Sequence, residues 1–209
     1  MAVSRDNLVA WIEALQQVYN ENKEYLTKLD AAIGDADHGI NMNRGFTAVK
    51  TELESNPPDN IASVLKSVAM TLIKKVGGAS GPLYGTFFLR ASTAVTGKEE
   101  LDAAAVVSMF ETGFSGIIQR GKAEVGDKTM VDAWTPALAA MNEALDSDAS
   151  LKEVLEKGAA AAEQGMKDTI PLQAKKGRAS YLGERSKGHQ DPGATSTCLM
   201  LQKAAELWS

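Results

Sequence analysis

The sequence predicts an all-α protein that forms one domain over residues 1–209. Apolar residues recur at the three- and four-residue spacing of an amphipathic helix, as in Leu8, Ile12, Leu15 and Tyr19. No segment alternates convincingly with the period of two that a half-buried strand shows. With 209 residues, of which 44% are hydrophobic, the chain is long enough to bury a substantial core.

Capping residues and glycines give the order and bounds of about eight helices. Ser4 and Asn60 precede periodic runs as N-cap residues, and Ser150 with Glu153 forms a capping box. Glycines follow other runs where helices end, at Gly77, Gly97 and Gly121. The predicted helices lie near 4–27, 40–55, 60–76, 81–96, 101–120, 129–146, 150–169 and 193–208.

Composition excludes several classes of protein. The formal net charge of −5 disfavours nucleic acid and acidic membranes as partners. The N-terminus lacks the apolar core of a signal peptide, and no run approaches the ~20 apolar residues of a membrane span. We therefore expect a cytoplasmic protein. Cys198 is the single cysteine and is predicted to be a buried thiol, and the three tryptophans are assigned to packing.

Three aspartates within eight residues, Asp30, Asp35 and Asp37, indicate a metal site. On one continuous helix Asp30 and Asp37 would lie roughly 10 Å apart on one face while Asp35 pointed elsewhere. Gly34 and Gly39 instead favour a helix that ends near Asp30 and a bent loop that turns the three side chains toward one point. Carboxylates without nearby cysteine or paired histidine suit Mg²⁺ or Ca²⁺ better than Zn²⁺.

Two other interpretations of this segment are a helix cap with an ordinary turn and an EF-hand. A cap or turn explains any two of the aspartates, but it does not explain the third. An EF-hand needs Asp or Asn where Gly39 stands and a bidentate Glu where Phe46 stands. The EF-hand pattern fails at both positions.

A glycine-rich turn at 76–86, VGGASGPLYGT, joins two predicted helices. Such a turn exposes backbone N–H groups at a helix N-terminus, where anions bind, although glycines also serve packing alone. It is not a Walker A loop. The nearest Walker-like string runs from Gly116 to Lys122, but Ala123 replaces the hydroxyl residue that would hold Mg²⁺.

The segment 170–192 is the one long connection, and it is polar, basic and rich in glycine. This loop of an acidic chain includes the cations Lys175, Lys176, Arg178 and Arg185, which suggest a lid over an anion, with a solvated face as the alternative. Asp191 before Pro192 is typical of an N-cap with proline at the first helical position, so a structural role competes with ligand contact.

Both histidines lie in polar, glycine-bearing loops rather than on apolar helix faces. His38 is a candidate site residue because it follows the three aspartates, whereas His189 is assigned a structural role. Leu83 and Met130 are candidates for an adenine slot, with core packing as the alternative for Met130.

Four strings together resemble the ADP-binding L subunits (DhaL) of bacterial dihydroxyacetone kinase. They are DxxxGDADHGxNMNRG, GGASGPLYGTFF, RGKAExGDKTM and KGRASYLGERSxGHQDPGATS, and the resemblance covers nearly the whole chain. It implies a closed barrel of eight antiparallel helices that holds the nucleotide and its metals at one end. The count of about eight helices agrees with this fold.

The resemblance also implies the site residues. Asp30, Asp35 and Asp37 correspond to the ligands of two Mg²⁺ ions that bridge the phosphates of tightly bound ADP or ATP. Arg178 is our candidate for stabilising the transferred phosphoryl group. Nucleotide contacts fall on His38, Gly39, Ile40, Asn41, Ala79, Ser80, Gly121, Met130, Arg178, Asp191, Pro192 and Gly193, to which Leu83, Thr129 and Lys176 are added.

Two forms of dihydroxyacetone kinase use this module, and a free-standing module resembles the phosphoenolpyruvate-dependent form, a phosphoenolpyruvate–glycerone phosphotransferase. In that form the bound ADP is rephosphorylated by a phosphohistidine of the M subunit and passes the group to dihydroxyacetone on the K subunit. The chain is then active only with these partner subunits. No Cys–His or Ser–His pairing supplies a covalent nucleophile, as expected if phosphoryl transfer needs mainly positioning and charge neutralisation.

Two alternatives stay open from sequence. The first is the nucleotide subunit of a related ATP-dependent kinase for another substrate, such as another small keto sugar, or in fatty-acid phosphorylation. The second is a nucleotide-loaded regulatory module that signals to a transcription factor.

Overall fold

The computed structural model describes residues 2–208, which form nine α-helices, one 3₁₀ segment and a minimal sheet. The helices are α1 Arg5–Glu21, α2 Lys23–Ile33, α3 His38–Ser55, α4 Ile61–Lys75, α5 Ser80–Ala94, α6 Ala103–Gly121, α7 Val131–Asp146, α8 Leu151–Asp168 and α9 Pro192–Leu207. The 3₁₀ segment is Arg178–Ser186, and the strands are β1 Val3–Ser4 and β2 Glu100–Leu101, antiparallel with Val3 opposite Leu101. The predicted all-α class is confirmed.

The N-cap residues predicted from the sequence make capping hydrogen bonds at the starts of their helices. The Ser4 hydroxyl accepts from the backbone N–H of Asn7, and the side-chain oxygen of Asn60 accepts from the backbone N–H of Ser63. The Ser150–Glu153 capping box closes in both directions. Each bond satisfies a donor that the first turn leaves unpaired, typically stabilising the helix by about 1 kcal/mol.

The single helix predicted near 4–27 is wrong, because the chain breaks at Asn22 into α1 and α2. The Asn22 side-chain amide donates to the Val18 carbonyl at 2.9 Å, beside the backbone N–H of Asn22 at 3.0 Å. A local side-chain bond of this kind competes with the regular helical pattern. The segment 170–192, which was predicted to be one long irregular connection, contains the 3₁₀ segment Arg178–Ser186.

The helices pack into a closed ring. From α3 to α9 each helix contacts the next along the chain, and α1 contacts both α3 and α9. The ring encloses an aromatic core in which Trp11 lies 4.9 Å from Trp208 and Phe87 lies 4.9 Å from Trp134, measured between ring centroids. All three tryptophans and Cys198 are buried, as predicted.

One end of the ring gathers helix N-termini. The first residues of α3, α5, α7 and α9 line a single cavity, together with the last turns of α2 and α6. Four helix dipoles therefore direct their positive ends toward the same space. None of the helices in residues 2–208 has both the length and the apolar character that a membrane crossing requires.

Candidate functional site

A cavity of about 460 Å³ occupies this end of the ring. Its volume lies in the range of small-molecule sites. The charged residues of its lining are four aspartates and four cations, Asp30, Asp35, Asp37, Asp191, Arg120, Lys128, Lys176 and Arg178. The opposing charges are not mixed evenly, because three of the aspartates form one cluster.

The aspartate cluster holds the three carboxylates that the sequence singled out. One oxygen from each of Asp30, Asp35 and Asp37 lies within 4.8 Å of the others. Asp30 is in the last turn of α2 and is buried; its Oδ2 accepts from the backbone N–H groups of Asp37 at 2.8 Å and His38 at 3.1 Å. Those two bonds fold the loop back onto the helix end, as the sequence predicted.

Two small residues make this fold-back feasible. A Cβ on Gly34 would lie 2.1 Å from Asp30 Oδ1, so only glycine leaves room for the carboxylate. Ala36, between Asp35 and Asp37, has φ of +61° in the left-handed region. A non-glycine residue held in this region has a strained backbone, and proteins retain such strain most often at functional sites. The turn at Ala36 was not predicted from the sequence.

The cluster fits a hard divalent cation. Its donors are carboxylate oxygens, as Mg²⁺ prefers, and three of them converge. The Arg178 Nε lies 2.8 Å from Asp35 Oδ2, so one guanidinium offsets part of the negative charge. That single cation leaves the three-carboxylate cluster net negative. The Arg178 contact also places the predicted catalytic residue beside the predicted metal ligands.

The glycine-rich turn presents free backbone donors to the cavity. Helix α5 starts at Ser80 after Ala79, which has no side chain able to cap it. Gly78 has φ of +64°, and a Cβ on Gly81 would lie 2.3 Å from the Val76 carbonyl oxygen. Glycine is therefore required for both the turn and the close approach, and the uncapped N–H groups suit an anionic ligand.

His38 connects the cavity to a buried hydroxyl network. Its Nδ1 lies 3.0 Å from Ser80 Oγ and its Nε2 lies 2.9 Å from Ser196 Oγ. The expectation of no Ser–His pairing is therefore wrong, because the helices bring together residues that are far apart in sequence. Ser196 Oγ donates to the Gly193 carbonyl and lies 2.7 Å from the Tyr84 hydroxyl. Because Ser196 donates to Gly193, we infer that the neutral imidazole carries its proton on Nε2, facing Ser196, and that Nδ1 accepts from the Ser80 hydroxyl.

Burial lowers the pKa of His38 to about 4, although the nearby Asp30 raises it. His38 is therefore neutral at pH 7 and adds no positive charge to the site. Its network joins α3, α5 and α9, three of the helices that start at the cavity. Ser196 and Tyr84 were missed from sequence, since hydroxyl residues on apolar helices carry no local signal.

An apolar part of the cavity lies beside the α6 C-terminus. Leu83, Ile117 and Met130 line it, and Leu83 Cδ2 would lie 3.2 Å from a Cβ on Gly121. A flat ring fits such a surface better than a charged group does, which supports the predicted adenine slot. Thr129 also lines the cavity, and its backbone N–H donates to Asp132 Oδ2 at 2.7 Å.

Asp191 both lines the cavity and caps α9. Its Oδ2 accepts from the Ala194 N–H at 2.7 Å, and its own N–H donates to Thr169 Oγ1 at 3.0 Å. Burial raises the pKa of Asp191 to about 7, against the lowering effects of the Ala194 bond and of Lys128. The structural role considered from sequence is confirmed. Pro192 and Gly193 follow it in the cavity lining.

Three predicted nucleotide contacts lie off the cavity lining. Gly39 packs against α2, where a Cβ would lie 2.0 Å from the Lys23 carbonyl oxygen. The Ile40 side chain is 49% exposed, and the buried Asn41 accepts from Arg44 Nη2 at 2.7 Å through its Oδ1. The remaining predicted contacts all line the cavity, and nucleotide contact stays a prediction for all of these residues.

Lys128 is a cavity residue that the sequence analysis did not identify. Its side chain is 1% exposed, and its ammonium donates to backbone carbonyls at both ends of the long loop. Burial lowers its pKa. A lysine inside the polar string GDKT gives no sequence signal that it is buried.

Comparisons with known proteins agree with this geometry. The family model described as DAK2 domain matches residues 32–206. The chain is 48% identical over 205 residues to the PEP-dependent dihydroxyacetone kinase, ADP-binding subunit DhaL, of Escherichia coli strain K12, covering 98% of each chain. It is 44% identical over 202 residues to the PTS-dependent counterpart of Lactococcus lactis strain IL1403, covering 97% of each.

A solved structure shares the fold. The dihydroxyacetone kinase from C. freundii in complex with AMP-PNP and Mg²⁺ superposes with a TM-score of 0.74 at 25% identity. The match covers 99% of this chain and 34% of that one. The chain thus spans about a third of the length of that kinase.

Proposed function

The chain belongs to the DAK2 domain family, and from that premise we propose that it is the ADP-binding subunit of a phosphoenolpyruvate-dependent dihydroxyacetone kinase. Its bound nucleotide would be recharged by a phosphohistidine on an M subunit and would pass the phosphoryl group to dihydroxyacetone on a K subunit. The observation that carries the proposal is the meeting of the aspartate cluster, the uncapped α5 N-terminus and Arg178 in one cavity.

The cofactors of this proposal are ADP or ATP and two Mg²⁺ ions held by Asp30, Asp35 and Asp37. Mg²⁺, when bound, neutralises phosphate charge and holds the phosphates in line for transfer. Two Mg²⁺ ions carry +4 against −3 from the aspartates and about −3 from ADP, so two ions balance the charge better than one.

The residues of the chain supply positioning and electrostatics. The N–H groups at Ala79 and Ser80 would bind phosphate oxygens, and the slot of Leu83, Gly121 and Met130 would hold the base. Arg178 is 68% exposed at the cavity mouth and can move from Asp35 to a transferred phosphoryl group. The base that accepts the proton of the substrate hydroxyl is assigned to the K subunit.

Reconstitution with purified K and M subunits tests the proposal. With phosphoenolpyruvate and the general phosphotransferase proteins, dihydroxyacetone phosphate should form without added nucleotide, and omission of M should stop the reaction. The purified chain should also retain ADP and Mg²⁺ through gel filtration. Turnover only with added ATP would overturn the donor assignment, and turnover only with another keto sugar would overturn the substrate.

A further inference from the structure

Lys128 places a buried ammonium between the two ends of the segment 169–189. Its Nζ lies 2.6 Å from the Thr169 carbonyl oxygen and 3.4 Å from that of Ile170, and it also donates to the His189 carbonyl. An ammonium has three N–H donors, and each has one acceptor here. One side chain therefore ties the start of the loop to its end.

The residues around Lys128 reinforce this connection. The Asp127 carbonyl accepts from the Lys175 N–H at 3.1 Å, and the Gly188 N–H donates to Ile170 at 2.8 Å. The carboxylates of Asp132 and Asp191 also attract the ammonium. Their charges offset part of the cost of burying a cation, which would otherwise be several kcal/mol.

The backbone conformation of Lys128 also favours this connection. Lys128 has φ of +63°, a conformation that a non-glycine residue adopts only where its surroundings hold it. The turn directs the side chain inward while Thr129 and Met130, the next residues, line the cavity. The tied loop carries Lys176 and Arg178, which line the cavity from the other side.

We propose that Lys128 is a positioning residue that fixes the 170–188 loop to the ring and thereby holds Arg178 over the aspartate cluster. The inference rests on the proposed function, in that Arg178 acts on the transferred phosphoryl group. Lys128 itself reaches the reaction only through the backbone carbonyls of the loop ends.

Hydrogen exchange of the ligand-free chain tests the structural half of the proposal without any activity. In Lys128→Met, amides in 170–188 should exchange at least about tenfold faster, since the loop loses its three bonds, while α1 and α4 keep their protection. Lys167→Met is the matched control, because Lys167 is an exposed lysine of α8 paired with Glu163. It should leave the loop unchanged.

A double-mutant cycle in the reconstituted kinase tests the functional half. Lys128→Met should slow phosphoryl transfer on the order of tenfold at saturating nucleotide, yet change it less than about twofold in an Arg178→Ala background. General destabilisation would slow both backgrounds equally. If Lys128→Met does not fold, Lys128→Gln, which keeps two N–H donors, takes its place in both experiments.

Unchanged loop exchange would overturn the proposal, and so would faster exchange spread over the whole chain. Additive effects in the cycle would overturn the link to Arg178. Failure of the proposed function gives a different result from failure of the Lys128 inference. If Arg178 does not act in phosphoryl transfer, Arg178→Ala alone leaves transfer unchanged, while Lys128→Met still speeds hydrogen exchange in the loop.

Discussion

At the residue scale, both carboxylate oxygens of Asp30 have defined neighbours. Oδ2 accepts two backbone N–H groups, which holds the side chain in one orientation, while Oδ1 packs against Gly34. A carboxylate fixed in this way loses less entropy when it binds a metal than a free one does. Asp35 and Asp37 accept no comparable pair of backbone bonds within the described residues, so they test the metal site more cleanly.

Asp37→Asn should abolish Mg²⁺-dependent nucleotide retention without unfolding the chain. Asp37 is the N-cap of α3 but makes no side-chain capping bond, so the amide removes charge and little else. Calorimetric titration with ADP and Mg²⁺ should show affinity at least about tenfold weaker.

The matched control for Asp37 is Asp59→Asn, an exposed aspartate in the turn before α4. It should bind like the unchanged chain. Full-affinity binding by Asp37→Asn would remove Asp37 from the metal site.

Asp191→Asn should stabilise the ligand-free chain at pH 8 but not at pH 4. The pKa of the buried carboxyl is raised to about 7 from an ordinary 3.8, so the folded state keeps a proton that the unfolded state releases. Stability conferred by this group is therefore lost as the pH rises from about 4 to about 7. The amide still accepts the Ala194 bond, and the gain is at most about 4 kcal/mol, at about 1.4 kcal/mol per pKa unit.

Chemical denaturation at both pH values measures this difference. Asp102→Asn is the control, because Asp102 is an exposed N-cap of α6 with an equivalent bond to Ala105. Its carboxylate stays hydrated, and its replacement should change stability little at either pH. An equal gain in stability from Asp191→Asn at pH 4 and pH 8 would contradict the raised pKa of Asp191.

Only residues that are close together in the sequence could be predicted to meet at the site. Asp30, Asp35 and Asp37 lie in one turn, so glycines and spacing predicted their convergence. Lys128 meets carbonyls 41 and 61 positions away, and His38 meets Ser196 at a separation of 158. Such pairings depend on how the helices pack, which no local pattern encodes.

At the element scale, the crossing of α2 and α3 sets the distance between Asp30 and Asp37. Gly39 lies at this crossing, where a Cβ would be 2.0 Å from the Lys23 carbonyl oxygen and 2.6 Å from Thr27 Oγ1. The family resemblance implies that Gly39 contacts the nucleotide, whereas the close approach of the two helices already explains why this residue is glycine. Helix starts were predicted well because capping bonds are local, and the break at Asn22 was missed because an asparagine inside a helical pattern gives a weak signal.

Gly39→Ala should push α2 away from α3 and lower both the stability of the fold and the affinity of the site. The contact is with backbone, which cannot rotate away, so we expect a loss of about 1–3 kcal/mol in unfolding free energy and weaker Mg²⁺–ADP binding. Gly158→Ala is the control: its Cβ would meet the flexible Met141 side chain between α7 and α8. It should lose less stability and bind nucleotide normally, and equal binding by both variants would contradict the prediction.

At the scale of the whole molecule, the ring places groups of like charge close together at one end. Alternate helices start there, three carboxylates converge there, and the opposite end carries the starts of α4 and α8. The closed ring itself was expected from the family resemblance, because periodicity shows which helix faces are buried but not which helices meet. The consequence is that ligand and metal should stabilise one end of the molecule far more than the other.

Removal of Mg²⁺ and ADP should therefore lower stability and loosen only the cavity end. Ligand binding to the folded state adds RT ln(1 + [L]/Kd), about 2.7 kcal/mol at one hundred times Kd, and a chelator should abolish that gain. Hydrogen exchange should then rise in the first turns of α3 and α5 and in 170–188, where N–H groups and Arg178 lose their anionic partner. The first turns of α4 and α8 should not respond, and a uniform response along all helices would contradict a ligand held at one end of the ring.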